Sequence, residues 1–166
     1  MFQLKPLSKE AVPAALEKAY RYRLLNEPLE AESICRDVLA VDPGNQEARV
    51  TLLLALTDQF DERPHPCIEE AREVLSQIRD DYSRTYHAGI LCERRAKAQL
   101  RRGGPGAGHA AWGWFHEAME HYEEAAEIRP SGNDDAILRW NTCARILMAS
   151  PELVPEPEEA FQTWLE

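Results

Sequence analysis

Apolar residues recur along this chain at intervals of three and four, not two, which is the spacing of helices that bury one face. In "AESICRDVLAVDPGN" they fall at Ala31, Cys35 and Val38, and in "AMEHYEEAAEIRPSGN" at Ala118, Tyr122 and Ala125. Ala71, Leu75 and Ile78 repeat the same i, i+4, i+7 stripe a third time. Residues so spaced lie one above another on a single helical face. The first two stripes run into Pro43 and Pro130, each followed by a Gly/Asn turn. A helix stops there because proline has no N–H to continue the hydrogen-bond ladder.

Valine and isoleucine are scattered and do not alternate with polar residues, so nothing reads as strand. Glycine and proline cluster at Pro43-Gly44, Pro64 to Pro66, Gly103 to Gly108, Pro130 to Gly132 and Pro151 to Pro157. These breaks predict seven helical segments, at 9–26, 28–42, 46–60, 67–81, 84–102, 112–129 and 133–149, with a short eighth at 157–165. The expected class is all-α. Residues 1–8 form an N-terminal extension, 9–149 a helical repeat domain, and 150–166 a Pro-rich linker with a capping helix or tail.

The segments pair, and the stripes resemble the second helix of the tetratricopeptide repeat, in which Ala, a large apolar residue and a small one precede a closing Pro. Ala19 and Tyr22, ahead of Ala31, resemble the family's first helix, as do Gly113 and Phe115 ahead of Ala118. The resemblance implies a short right-handed stack of three to four antiparallel helical hairpins, whose first helices line a concave, partner-binding face. The chain departs from the pattern at Ala15, where the family often has Trp, and at Trp140, where a small residue is expected. Its repeat steps also exceed the family's length, with the excess in "DERPHP" and in the Gly-rich run.

Composition narrows the function classes. The chain has 166 residues, 44% of them hydrophobic and 29% charged, which suits a folded domain. A net charge of −10 argues against nucleic acid or an anionic membrane as the general partner. "MFQLKPLSKE" has no apolar core of a targeting signal, and no apolar run approaches the roughly 18 residues of a membrane span. Cys35, Cys67, Cys92 and Cys143 form no C-x-x-C pair and read as reduced thiols, which places the protein in the cytoplasm.

Candidate chemistry is sparse. In His116-Glu117-x3-His121 the histidines are five apart and diverge by more than about 100° on a helix, unlike the four-residue spacing of a zinc-protease helix. Glu117 with His121, or His116 with Glu120, can share a face. "GGPGAG" lacks the Lys-Ser/Thr ending of a phosphate loop and reads as a connection between helices. Trp112 and Trp114 point to opposite sides, so one of them is a candidate contact residue. No metal, cofactor or catalytic set is expected. The alternatives are a helical metal-dependent hydrolase built on the His-rich third hairpin, or a regulatory subunit of a stable hetero-complex.

Charge is segregated. The first helices of each pair carry 12 Lys/Arg against 6 Asp/Glu, the second helices 4 against 14. Beside the buried stripes, the first helices repeat a second set at i,i+3/i+4 spacing: Tyr20, Arg23 and Leu24; Val50 and Leu54; Arg94, Lys97 and Arg101; Asn141 and Arg145. The expectation is an adaptor or scaffold whose concave, locally basic groove takes an acidic, partly hydrophobic segment of another protein. The bland alternative is that segregated charge only pairs helices within each hairpin.

Overall fold

The computed structural model describes residues 2–156. They contain no strand and seven α-helices: α1 Val12–Leu24, α2 Pro28–Val41, α3 Gln46–Thr57, α4 Pro64–Ser76, α5 Asp81–Arg102, α6 Ala107–Ile128 and α7 Asp135–Ala149. A 3-10 turn, Lys9–Ala11, leads into α1. The all-α class follows directly from the spacing of apolar residues. Each helix packs against the next, and α1 with α3, and α3 with α5, also touch side by side.

Local chemistry sets the helix ends. α1, α2 and α4 each have proline in the first turn, where its missing N–H costs nothing. Asn45 accepts from the Ala48 N–H at 2.8 Å to open α3, and Asp80 accepts from the Ser83 N–H at 2.7 Å to open α5. The fourth helix was expected at 67–81 but spans Pro64–Ser76. Pro64 and Pro66 fit its first turn, and the chain must leave the helix before Asp80 can cap the next one.

The sixth helix departs more. It begins at Ala107, directly after Gly106, whose positive φ of 74° turns the chain out of the loop. Only 103–106 form the connection, so α5 and α6 are a hairpin of two 22-residue helices, each about 33 Å long. Gly113, Phe115 and Ala118 therefore share one continuous helix. That continuity agrees with the expected segment 112–129 and corrects only the resemblance that set Gly113 and Phe115 in a first helix ahead of Ala118.

The repeated stripes form the core. Ala31, Cys35 and Val38 are fully buried, as are Ala118, Tyr122 and Ala125; Ala71 and Ile78 are buried, with Leu75 half-buried. One cluster gathers Leu53, Leu56, Phe60 and Cys67 among α1–α5, and a second gathers Cys92, Phe115, Tyr122 and Cys143 among α5–α7. After α7 the chain turns back onto α6. Leu153 is buried in the second cluster, and His109 Nδ1 lies 3.0 Å from the Val154 carbonyl oxygen. The eighth helix expected at 157–165 lies outside the described residues.

All four cysteines are buried free thiols. Burial pushes Cys35, Cys92 and Cys143 up to about 12, so each holds its proton at neutral pH. A thiol reagent should label Cys35 and Cys92 slowly until denaturant is added. Rapid labelling of both under native conditions, counted by mass spectrometry, would contradict this packing.

Candidate functional site

The residues expected to line a groove have three different fates. Tyr20 and Leu24 are exposed, at 56% and 70%. Val50 and Leu54 instead pack against the first and second cores respectively. Among the cations, Arg23 Nε donates to Asp58 Oδ2 at 2.8 Å, and Arg94 reaches the other oxygen of the same carboxylate. Asp58 is the C-cap of α3, so residues from α1, α3 and α5 converge on it. The side-by-side contact of these helices makes that meeting possible.

Arg101 pairs with Asp61 at 2.7 Å, and Lys97 donates to Glu93 at 2.5 Å. On α7, Asn141 is half-buried, while Arg145 is exposed and makes no ion pair among the described residues. The expected basic rim is thus neutralised only in part from within, because Arg23 and Arg94 share one carboxylate and Arg145 has none among the described residues. Among the described residues, no ion pair joins Arg23, Arg94, Lys97 or Arg101 to the acidic second helices. These cations pair with the few carboxylates next to their own row.

Glu93 anchors the most developed of these networks. It is wholly buried, and its carboxylate accepts from Lys97, from the Tyr122 hydroxyl at 2.6 Å and from Arg139 of α7 at 3.2 Å. Burial by itself would raise its pKa; the hydrogen bonds from Lys97 and Tyr122 and the charges of Arg139 and Lys97 outweigh it and hold the carboxyl below its usual range. Burial and the facing Glu93 carboxylate push the Tyr122 phenol well above its usual range, so it remains a donor. Nearby, His87 is buried with Nδ1 2.6 Å from the Ser83 carbonyl oxygen, and burial holds its pKa below the usual value. A buried neutral imidazole beside a carbonyl donates from Nδ1.

Asp58, Glu93 and Arg139 were not among the expected site residues. A signal existed for Glu93, the single carboxylate among the six Lys/Arg of 84–102, but not for Asp58, whose segment 46–60 holds two acids and one Arg. Arg139 had none, because 46 residues separate it from Glu93.

At the other end of the third hairpin, Trp112, Trp114, His109, Glu117 and Glu156 line a cleft of about 490 Å³ beside Gly106. Both tryptophans are half-buried and both contribute to it. Trp112 stacks on His116 at 5.0 Å, and the Arg95 guanidinium lies 3.5 Å from the Trp114 ring centre. His116 pairs with Glu120 at 3.3 Å, whereas His121 is drawn into a group with Glu117 and Cys92. The two histidines serve different surroundings, as five-residue spacing on a helix requires. The glycine-rich connection takes positive φ at Gly103, Gly104 and Gly106, which closes the hairpin between α5 and α6. Comparisons of the chain with protein-family models, curated proteins and solved structures found no match.

Proposed function

We propose that this chain is a non-enzymatic adaptor, a short right-handed stack of tetratricopeptide-like hairpins that receives a segment of another protein along the row of first helices. The observation that carries this reading is the convergence of Arg23, Asp58 and Arg94. Three odd-numbered helices are tied edge to edge there, as a continuous binding face requires. A face held rigid by its own ion pairs pays less ordering entropy when a partner docks.

The internal pairing shifts the expected partner chemistry. Arg23 and Arg94 share one carboxylate, Lys97 shares Glu93 with Arg139, and Arg101 has Asp61, so only part of the positive charge is left to select an acidic segment. Apolar contact at Tyr20 and Leu24 carries more of the proposal, joined by Arg145, which is exposed and makes no ion pair among the described residues. Exposed aromatic and aliphatic side chains on helices make suitable anchors for a partner segment.

The test places a photoreactive side chain at Leu24 or, as a control, at exposed Glu73 of α4 in the full chain, and irradiates it in host extract. One partner should cross-link from Leu24 and not from Glu73. The double variant Tyr20→Glu, Leu24→Glu should bind that purified partner at least about 10-fold more weakly, as loss of two apolar anchors implies. Equal capture from Glu73, or undiminished binding by the double variant, would refute the proposed face.

A further inference from the structure

The group formed by Cys92, Glu117 and His121 is independent of the adaptor face. Cys92 lies on α5, and Glu117 and His121 lie one turn apart on α6. Their ligand atoms are all within 4.8 Å of one another. A thiolate, an imidazole and a carboxylate are the donor types that bind zinc. An i,i+4 pair on one helix presents two ligands to one ion, and a third from a facing helix closes the set.

The geometry needs only small adjustment. Zinc bonds of about 2.0–2.3 Å in a tetrahedron separate neighbouring ligand atoms by roughly 3.5 Å. Cys92 is held by the α5–α6 packing, whereas Glu117 is exposed and His121 about one-third exposed, so the two α6 side chains can close on an ion. We propose that Cys92, Glu117 and His121 form a site for a thiophilic divalent cation of the zinc class, which staples α5 to α6 and leaves a fourth position for water or a small ligand. Glu117 also lines the Trp112 and Trp114 cleft, so that cleft adjoins the site.

The charges balance. Loading exchanges the Cys92 proton for the cation, and the thiolate and the Glu117 carboxylate together neutralise it. Cys92 otherwise keeps its proton, because burial and the neighbouring Glu117 disfavour the thiolate. Arg95 and Arg72 act on the same sulfur; their positive charge favours the thiolate and opposes the dication. Glu124, 4.0 Å from His121, offsets part of that opposition. Because the sulfur and the liganding imidazole nitrogen must both be unprotonated to bind, affinity should rise with pH.

The test titrates the chelator-stripped 166-residue chain with Co2+ alone, and then displaces it with Zn2+. The expected result is one equivalent of cobalt with near-ultraviolet sulfur-to-cobalt absorption that zinc abolishes. Cys92→Ser should lose the band, and Glu117→Gln and His121→Ala should each weaken zinc binding by about 100-fold, at least the effect of losing an outer-shell partner. His116→Ala should leave it unchanged. Zinc should also raise the melting temperature of the wild type and not of His121→Ala. If circular dichroism shows Cys92→Ser unfolded, the Glu117 and His121 variants decide the matter. Absence of the sulfur band at saturating cobalt overturns the site, as does equal loss in His116→Ala and His121→Ala.

Discussion

Glu93→Ala should lower the stability of the protein by about 3 kcal/mol, the low end of the range for breaking a buried charge pair. The side chain is wholly buried and is the acceptor for Tyr122, Lys97 and Arg139. Removing it strands the Tyr122 hydroxyl, which is itself fully buried. Lys97 and Arg139 are each about one-third exposed and can turn outward, which is why the low end applies. For a chain of this size the melting temperature should fall by roughly 6–12 °C.

Tyr122→Phe deletes one donor and leaves the two cations in place, so its cost should be nearer 1–2 kcal/mol. The double variant Glu93→Ala, Tyr122→Phe should cost less than the two singles combined, because the stranded hydroxyl is gone. Denaturant unfolding of the four proteins measures this coupling. Strict additivity would show that Glu93 and Tyr122 do not act on one another.

Gly89→Ala should destabilise by about 1–3 kcal/mol, although alanine is the better helix former in general. A Cβ at Gly89 would lie 2.5 Å from Tyr122 Cε1 and 2.7 Å from Cδ1. The ring cannot step aside without breaking its 2.6 Å hydrogen bond to Glu93. α5 and α6 would have to separate along a hairpin that carries much of the second core. Gly113, in the middle of α6, has nothing within 4 Å of its Cβ position. Gly113→Ala should therefore stabilise by about 0.5–1 kcal/mol. Thermal melts of the two variants should move in opposite directions. A stabilising Gly89→Ala would mean that the α5–α6 approach is looser than described.

The two glycines illustrate how far a chain can be read without its fold. Both sit inside apolar-striped helices, and nothing in their neighbours along the chain tells them apart. Whether a methyl group is tolerated depends on what lies across the helix interface, and for Gly89 that is a residue 33 positions away. The same limit applies to the expected groove. Tyr20 and Leu24 could be read as exposed because they are offset from a local buried stripe. Arg23 could not be read as tied to Asp58, nor Lys97 to a buried Glu93, since a cation's partner is chosen by which helices meet.

What the sequence determined by itself is the set of helices and their buried faces. Ala31, Cys35 and Val38, and Ala118, Tyr122 and Ala125, are buried because a 3.6-residue period puts them on one side whatever they pack against. Only the tertiary structure decided where α6 begins, because the glycines of 103–108 permit either helix or loop and packing selects between them. Tertiary structure alone also brought Cys92 to Glu117 and His121 across 25 and 29 residues of chain. Helix periodicity is a short-range property of the backbone; charge partners and ligand sets are long-range, and exist only once the hairpins have closed.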